Sequence, residues 1–449
     1  MKRGSQTMNQ ITEGVIWRQL LLFFFPIVFG TFFQQLYNTI DTVIVGHFVG
    51  TEALASVGGS SAQISALIVG FFTGLSSGAS VVIAQFFGAQ DERSVRQSLH
   101  TAYAFSIMGS IIISILGIAL APSMLSWMRT PAEIMADSIL YLRIYFAGIL
   151  FVFIYNMGSS ILRAVGDSRH PLYYLIICCF LNIVLDVAFV VIFRMGVLGV
   201  ALATLLSQAF SAVLVTHKLM KAEGILRLFL RQIRFHGSVM KSQLRIGIPT
   251  GVEAVMYSIT NVIIQAALNG FGTDTAAAWS VFGKLDAVFW MVSSAFGISI
   301  TTFVGQNYGA RKAGRIRKIT RVSLGIDFLV SAALVVFLIA ARVPLFRLFT
   351  TDTEVIRIGT EMLLQVTPWY ITFVFIEILT GSLRGIGDVI IPMIITLCGV
   401  CLLRVLWIIG ALKIQPTISA IIFSYPITWI ITSILFICYY FYRIKKMKI

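Results

Sequence analysis

The chain has 449 residues, of which 58% are hydrophobic and only 12% are charged, and its mean hydropathy is +0.90. A soluble domain carries about 25% charged residues, so this sequence has too few charges to cover a water-facing surface. The composition therefore excludes an ordinary soluble globular protein. A net charge of +15 would suggest nucleic-acid binding in a soluble protein. Here the charges lie mostly in loops between apolar runs, and we predict no nucleic-acid partner.

Apolar runs of about 20 residues recur along the whole chain, and each is long enough to cross a bilayer. A single apolar run satisfies its backbone hydrogen bonds in lipid only as a helix, which predicts an all-α polytopic membrane protein. The first run reaches His47 and is too long for the core of a signal peptide, so we expect it to be retained. The twelve predicted spans cover residues 16–46, 53–86, 98–122, 137–162, 171–193, 196–217, 245–270, 276–307, 320–341, 355–382, 390–412 and 417–442.

The distribution of Lys and Arg between the predicted loops gives the orientation. Twelve spans place both termini on the same side of the membrane, and that side holds 25 of these residues against 6 in the opposite loops. Cytoplasmic loops carry such an excess, so both termini are predicted to be cytoplasmic. We expect a multi-pass protein of the bacterial inner membrane, surrounded by lipid.

Two motifs recur in the second half of the chain at the same spacing. The Gln85 motif (AQFFGA) and the Gln306 motif (GQNYGA) end the second and eighth spans and lie 221 residues apart. The motif Leu-Arg-x-x-Gly-Asp-x-x-x-Pro follows the fourth and tenth spans, and its arginines, Arg163 and Arg384, also lie 221 residues apart. A shared offset predicts two six-helix lobes of the same orientation, related by a pseudo-two-fold axis along the membrane normal.

The predicted division of the chain is residues 1–217 for the first lobe, 218–244 for a basic cytoplasmic linker and 245–449 for the second lobe. The linker contains an apolar patch at 225–230, which would either lie on the membrane surface or belong to a solvated tether. Within each repeated motif, the arginine and the aspartate are expected to pair with each other at a loop end, in a structural role.

A polar stripe lies in the first span and ends at an acid. Gln34, Tyr37, Asn38 and Asp41 are spaced i, i+3, i+4 and i+7, which places them on one face of a helix. This face should look into a cavity rather than into lipid, because an acid inside the bilayer costs about 3 kcal/mol or more unless it is paired, solvated or protonated. Pro26, about four turns earlier, is predicted to kink the helix.

A second acid, Asp186, lies in the fifth span with Asn182 one turn before it. Both Asp41 and Asp186 fall in the outer half of the first lobe, and Thr204 and Asn156 could add oxygen ligands from neighbouring spans. Two buried carboxylates near each other titrate as a unit, so this group is predicted to bind and release H⁺ or Na⁺. The alternative is an interhelical hydrogen bond that only packs the lobe.

Charged residues also lie inside spans of the second lobe, and for four of them functional and structural roles stay equally open. These four are Glu253, Lys284, Asp286 and Glu377. Lys284 and Asp286 are two residues apart and do not share a helix face, so Lys284 is expected to pair with an acid on another helix. Asp327 is predicted to be an interfacial charge, and Arg404 in the eleventh span is expected to need a partner.

The sequence contains no arrangement of residues typical of an enzyme or of a tightly bound metal. The five histidines are scattered near loops and helix ends. Cys398 and Cys401 have the spacing of a redox or zinc pair, but they lie within one apolar run without a second ligand pair, which favours buried packing. We therefore predict no enzyme activity and no cofactor, and no metal site except for Na⁺ at Asp41 and Asp186.

Three features together resemble the MATE (multidrug and toxic compound extrusion) transporters. They are the polar stripe that continues from Asp41 to Gly46, the Gln85 and Gln306 motifs, and the repeated Leu-Arg-x-x-Gly-Asp-x-x-x-Pro motif. The resemblance covers nearly the whole chain. It implies a V-shaped exporter of two six-helix lobes that exchanges H⁺ or Na⁺ for small organic, often cationic, compounds by alternating access. We expect it to function as a monomer.

Within this family, the first lobe is most similar to the DinF-like branch. The residues that match the network of that branch are Gln34, Tyr37, Asp41, Asn182, Asp186 and Thr204. By this resemblance, Asp41 is the coupling carboxylate and Pro26 is the bending point. Glu253 resembles an acid that the NorM-like branch uses for cation binding. The position of the second acid of that branch is Phe373 here, and Glu377 lies one turn away. The resemblance therefore does not decide whether the second lobe has a Na⁺ site.

Two alternative functions, a flippase or metabolite exporter and a channel, would require different sequence features. A flippase or exporter of lipid-linked sugars or other metabolites, from the same superfamily, usually has more spans and a cationic cavity, whereas the stripe here is acidic and amidic. A channel would not need the two-lobe repeat, which favours a carrier with alternating access. The sequence leaves the substrate, and the choice between H⁺ and Na⁺, open.

Overall fold

The computed structural model describes residues 11–446. In this part of the chain, twelve helices are long and apolar enough to cross a membrane, which confirms the predicted number of spans and the all-α fold. No strand occurs among the described residues. The helices are α1 (Ile16–Phe48), α2 (Thr51–Gly88), α3 (Glu92–Trp127), α4 (Ala132–Ala164), α5 (Arg169–Ile192), α6 (Gly196–Met220), α7 (Gly237–Asn269), α8 (Thr273–Gly309), α9 (Ala313–Ala340), α10 (Thr353–Gly385), α11 (Ile390–Ile414) and α12 (Ile418–Lys446).

Two of these helices widen locally into π-helical turns, which occur frequently at functional sites. In α5 the π-helical segment Val187–Ile192 begins directly after Asp186. In α11 the π-helical segment Leu397–Leu402 ends two residues before Arg404. Each π-helical segment therefore adjoins an ionisable side chain within a membrane span.

The described chain divides into two compact units. The first contains residues 25–251, and the second contains residues 11–24 and 252–446. Their boundaries lie inside two helices, because α1 passes from the second unit to the first beside Pro26, and α7 passes from the first to the second after Gly251. The units therefore differ from the predicted lobes, whose boundaries fall between helices rather than within them.

The core of the first unit is built from large apolar side chains of α2, α3 and α4. The Phe72 ring on α2 stacks on Phe153 of α4, with ring centroids 3.5 Å apart. The segment 221–236 after α6 packs on this core, and its Leu226 and Leu228 are only 5% and 2% exposed. The apolar patch of the predicted linker thus packs against protein through Leu226 and Leu228, which does not fit a solvated tether.

A close contact joins α2 to the first half of α7 within the first unit. Gly74 and Gly78 lie four residues apart on α2 and face Gly247 and Gly251, which lie four residues apart on α7. A Cβ atom at Gly78 would collide with the Gln243 carbonyl oxygen, so the two backbones can approach this closely only with glycine. This contact holds the first half of α7 in the first unit.

The beginning of α1 is held in the second unit by aromatic contacts and by one arginine. Phe24 stacks on Phe296 of α8 with ring centroids 4.1 Å apart, and Phe23 meets Phe303 edge to face. Arg315 of α9 donates hydrogen bonds of 2.8–3.1 Å to three backbone carbonyls just before α1. Packing and hydrogen bonding together therefore fix the entry into the first span.

The arginine and the aspartate of each repeated motif do not pair with each other, so this prediction is wrong. Asp167 binds His170, with 2.6 Å between a carboxylate oxygen and Nδ1. Asp388 binds Arg443 of α12 at 2.7 Å. The glycines just before the two aspartates have φ angles of +97° and +84°. This left-handed turn separates each aspartate from the helix that carries the motif arginine.

Candidate functional site

The carboxyl groups of Asp41 on α1 and Asp186 on α5 lie close enough to interact with each other and to share a hydrogen bond when one of them is protonated. Asp186 is fully buried and Asp41 is partly buried. Oδ1 of Asp41 and both carboxylate oxygens of Asp186 accept no conventional hydrogen bond from any described residue. Two ionised carboxylates offer only acceptors and repel each other, so this contact requires a proton or a cation between them.

Asn182 and Thr204 bring further polar atoms to the same region. Asn182 lies one turn before Asp186 and is fully buried, and Thr204 on α6 is 7% exposed. The Cys178 thiol donates to the Ser207 carbonyl at 3.3 Å, which sets the antiparallel register of α5 and α6 and brings Asn182 level with Thr204. Neither the Asn182 amide nor the Thr204 hydroxyl has a hydrogen-bond partner among residues 11–446.

These four residues, Asp41, Asp186, Asn182 and Thr204, form what we call the carboxylate cluster. It holds five unpartnered buried oxygens, of the kind that hard cations prefer as ligands. A proton would satisfy the contact between the two carboxylates, and a sodium ion would in addition use the amide and hydroxyl oxygens. Buried polar atoms in folded proteins almost always have partners, and these oxygens have the chemistry to accept a proton or a cation.

An apolar core lies next to the carboxylate cluster, towards the end of α1. Ile44 and Val45 of α1 pack there with three valines. Val190 follows Asp186 on α5, and Val197 and Val200 precede Thr204 on α6. These contacts hold the second half of α1 against the other two helices of the cluster. Low-polarity surroundings strengthen the interaction between a carboxylate and a bound cation.

Three tyrosines lie beside the carboxylate cluster. Two of them, Tyr37 and Tyr141, interact electrostatically with its acids, and Tyr145 interacts with these two tyrosines. Tyr37 precedes the α1 acid by one turn, and Tyr141 and Tyr145 come from α4. Tyr141 and Tyr145 also line a small cavity that Thr204 reaches. The predicted site did not include the two α4 tyrosines. Their i, i+4 spacing within an apolar span is the signal that marks them as one polar helix face.

The remaining residues of the predicted first-lobe site lie further from these contacts. Gln34 and Asn38 are exposed on α1. The side-chain amide of Asn156 on α4 donates to the Val152 carbonyl of its own helix at 2.9 Å, and no described contact links it to the carboxylate cluster. Helix α1 stays helical through Pro26, where the two units divide it. A hinge at this residue stays a prediction.

In the second unit, Glu253 is paired with an arginine. Its Oε2 lies 3.2 Å from the Arg384 guanidinium, and both side chains are largely buried. Glu377 of α10 lies so close to Gly297 of α8 that a Cβ atom there would collide with its carboxylate. Arg384 also interacts electrostatically with Glu377, so one guanidinium is shared between two acids.

Asp286 of α8 has hydrogen-bond partners within the second unit, and Lys284, two residues before it, contacts none of them. Asp286 accepts hydrogen bonds from the Tyr370 hydroxyl and from the Trp290 indole, the latter at 2.7 Å. Lys284 is exposed, and its ammonium lies 5.2 Å from the centroid of the Phe349 ring. It forms no ion pair with a described residue, so the expected pairing with an acid is wrong. The two-residue spacing turns Lys284 away from the side of α8 that carries the polar contacts.

Arg404 and Asp327 are both buried. Arg404 donates to the Thr428 hydroxyl at 3.0 Å, and its guanidinium lies 4.1 Å from the centroid of the Tyr425 ring. Its direct partners are therefore a hydroxyl and an aromatic face. Asp327 is fully buried and accepts a hydrogen bond from Ser331 at 3.2 Å. The predicted interfacial position of Asp327 is wrong, because this residue lies about four turns into α9.

Comparison with known proteins places this architecture in a family. The model of the MatE family matches residues 26–188 and 249–409, which together make up more than half of the chain. The probable multidrug resistance protein YoeA of Bacillus subtilis is 25% identical over 443 residues, which cover 97% of this chain and 95% of that protein. The multidrug export protein MepA of Staphylococcus aureus is 22% identical over 409 residues, covering 89% and 88% of the two chains.

The solved structures agree with this assignment at the level of the fold. A MOP superfamily transporter from Pyrococcus furiosus matches with a TM-score of 0.92 and 22% sequence identity, and the match covers 99% of each chain. Members of the MatE family are transporters, and the twelve membrane-spanning helices described above are those of a multi-pass membrane protein. The chain therefore belongs to the MatE family of multidrug transporters and is not an enzyme.

Proposed function

We propose that this chain is a secondary antiporter that exports organic, mainly cationic, compounds in exchange for H⁺ or Na⁺, and that the carboxylate cluster binds the coupling ion. The observation that carries the proposal is the contact between Asp41 and Asp186, surrounded by oxygens without a described partner. Membership of the MatE family and the names of the relatives support export of drugs. Acids inside membrane spans are costly and therefore mark functional positions by default.

The proposed cycle alternates between two occupancies of the carboxylate cluster. One of the two acids stays protonated throughout the cycle, so the cluster carries one negative charge. When the cluster is open to the outside, H⁺ or Na⁺ binds between Asp41 and Asp186 and neutralises that charge. A cationic substrate is then no longer attracted, α1 repacks, and the substrate leaves. After access has changed to the cytoplasmic side, the ion is released and the negative charge returns, which attracts the next substrate. The two fluxes are coupled because both cations compete for one negative charge.

Helix α1 is the element that we propose to move. It carries Asp41 and Tyr37, and only its residues from Phe25 onward belong to the same compact unit as Asp186. A proline inside a helix removes one backbone hydrogen bond and lowers the cost of bending there. Bending at Pro26 would let the charge state of Asp41 determine how the second half of α1 packs.

Transport of a cationic dye by the purified protein in sealed vesicles tests this proposal. A pH gradient and a Na⁺ gradient are imposed separately, with the membrane potential held at zero, and dye movement against its own gradient is followed. We expect one of the two gradients to drive uphill dye transport. If neither gradient does so while the dye still crosses passively through the protein, antiport is refuted.

The same vesicles separate drug export from the export of another metabolite class. Competition by neutral and anionic compounds is measured alongside competition by cations. A negatively charged cluster should favour cations, so we expect cations to inhibit dye transport most strongly. Preferential inhibition by anionic, phosphate-bearing compounds would instead support a flippase or metabolite exporter of the same superfamily.

A further inference from the structure

A large basic cavity lies in the first unit, away from the carboxylate cluster. It has a volume of about 850 Å³ and lies between the beginning of α3 and the segment 221–236 that follows α6. We call it the arginine pocket. Its lining residues are Glu92, Arg93, Arg96, Gln97, His100, Gly224, Ile225, Arg231, Gln232, Arg234 and His236.

Two histidines fix the walls of the arginine pocket. His100 is buried, its Nδ1 donates to the Arg96 carbonyl at 2.8 Å, and its Nε2 accepts a hydrogen bond from the Phe229 backbone N–H at 3.1 Å. The backbone N–H of His236 donates to the Thr101 hydroxyl at 3.2 Å. Both ring nitrogens of His100 are thereby used. The histidines anchor the segment 221–236 to α3 and leave the arginines as the charged groups of the pocket.

The charges in the arginine pocket are unbalanced. Four arginines line it together with a single acid, Glu92. None of these arginines forms an ion pair within the described part of the chain. The guanidinium groups of Arg96 and Arg227 each lie over the Phe229 ring, 5.1 Å from its centroid, so this ring also supports two guanidinium groups. A concave surface of one charge sign concentrates the electrostatic potential within it.

The equivalent region of the second repeat uses its basic residues differently. Residue 313, at the start of α9, is the counterpart of residue 92 at the 221-residue offset. There Lys312 lies 3.6 Å from Glu13 and donates to the Thr12 carbonyl at 3.0 Å, while Arg315 binds further backbone carbonyls before α1. Protein groups therefore satisfy Lys312 and Arg315 at the start of the second repeat's helix. In the first repeat, Arg93 and Arg96 line an open pocket at the matching position.

We propose that the arginine pocket binds a phosphate-bearing anion through Arg93, Arg96 and Arg231. Guanidinium groups donate paired hydrogen bonds to phosphate oxygens, and several of them around one cavity match a group with multiple anionic oxygens. The anion could come from the headgroup of an anionic phospholipid or from a soluble phosphate compound. Leu230 and Phe235, 55% and 40% exposed beside the arginines, suit contact with a lipid surface. This inference does not depend on the proposed antiport.

The test compares two double variants of the full-length protein with the wild type. Arg93→Gln/Arg231→Gln removes two charges from the arginine pocket. Arg317→Gln/Lys318→Gln removes two exposed charges at the start of α9 and is the matched control, because it lowers the net charge equally. Delipidated protein is titrated with phosphatidylglycerol or with zwitterionic phosphatidylcholine, and bound lipid is counted by native mass spectrometry.

We expect phosphatidylglycerol to bind the wild type and the control variant with similar Kd, and phosphatidylcholine to bind more weakly. The pocket variant should lose about tenfold or more in affinity for phosphatidylglycerol, as expected for the loss of charge-assisted hydrogen bonds. In a second arm, inorganic phosphate and pyrophosphate are titrated while the Tm is recorded. A rise in Tm that the pocket variant alone lacks identifies a soluble phosphate compound as the source.

The proposal is overturned if neither lipid nor soluble phosphate binds the wild type, or if both double variants lose the same affinity. The Tm without ligand shows whether the pocket variant is folded. If it is not, Arg93→Lys/Arg231→Lys replaces it, because lysine keeps the charge but cannot form the paired hydrogen bonds. That variant should bind more weakly than the wild type, and equal binding would also contradict the proposal.

Discussion

Asp41 and Asp186 in the first compact unit have different surroundings from Glu253 and Asp286 in the second. In the first, Asp41 and Asp186 touch each other, and their oxygens lack conventional hydrogen bonds from residues 11–446. In the second, Glu253 is paired with Arg384, and Asp286 accepts hydrogen bonds from Tyr370 and from a tryptophan. An acid with permanent protein partners has no need of an exchangeable cation, whereas two acids in contact cannot do without one.

In a chain with two similar halves, the contacts of each acid indicate which of them couples to an ion. The repeat gives both halves acids inside their spans, so position in the repeat alone does not identify the coupling site. The contacts of each acid do, because a salt bridge or a pair of hydrogen bonds removes the energetic reason to bind a cation.

Asp41→Asn is expected to remove ion-coupled dye transport almost completely, by about a hundredfold or more, because the cluster loses a charge-assisted contact of about 3 kcal/mol. The measurement is uphill dye transport in vesicles under the driving gradient. Asp327→Asn is the matched control, since it makes the same change at a buried acid of the second unit. Equal losses in both variants would contradict the distinction between the units.

Asn182→Ala and Thr204→Val are expected to distinguish Na⁺ from H⁺ as the coupling ion. If Na⁺ uses the amide and hydroxyl oxygens, each change should raise the Na⁺ concentration for half-maximal transport by about tenfold. If only a proton is shared by the two acids, the pH dependence should change little. Transport is recorded across a series of Na⁺ concentrations and pH values. If both variants show the same dependence on Na⁺ concentration and on pH as the wild type, Asn182 and Thr204 have no direct role in Na⁺ binding.

Glu253→Gln is expected to lower the free energy of unfolding by about 1–3 kcal/mol, because Arg384 is left without its ion-pair partner in a largely buried place. Coupling of dye transport to the ion gradient should remain. Thermal unfolding in detergent gives the first quantity and vesicle transport the second. Glu253→Gln/Arg384→Gln should recover part of the lost stability. Loss of coupling in a well-folded Glu253→Gln protein would assign an ion site to the second unit after all.

Asp286→Asn should have the smallest effect, about 1 kcal/mol or less in the free energy of unfolding. The amide oxygen of asparagine can still accept a hydrogen bond from Tyr370, so one of the two contacts of Asp286 survives. Thermal unfolding and vesicle transport are measured as before. A large loss of transport with unchanged stability would show that the charge of Asp286, and not its hydrogen bonding, is required.

Much of the fold followed from the sequence because the bilayer imposes strong constraints. A run of apolar residues long enough to cross lipid must be helical, so the number of spans and their approximate limits could be predicted without tertiary information. Helical periodicity also placed Tyr37 and Asp41 on one face, and Asn182 one turn before Asp186. These are local properties, which depend only on residues a few positions apart.

Contacts between distant helices could not be predicted in the same way. Arg384 pairs with Glu253 and not with Asp388, which follows Arg384 by four residues in the sequence. This pairing depends on how α7 and α10 pack. The burial of Asp327 likewise depends on neighbours that sequence periodicity does not identify. Hydropathy could not predict the division of α1 and α7 between the compact units, because it identifies each span only as a continuous apolar run. In α7, the four-residue spacing of Gly247 and Gly251 is a local sign of close packing against another helix.

The most direct test of the central claim is to measure the ion that leaves the purified protein when a cationic substrate binds. Calorimetry in buffers of different ionisation enthalpy detects released protons, and a sodium indicator detects released Na⁺. We predict that wild-type protein releases H⁺ or Na⁺ on binding the substrate and that Asp41→Asn releases neither, while Asp327→Asn behaves like the wild type. Undiminished release from Asp41→Asn would show that the Asp41–Asp186 contact is not where the two cations compete.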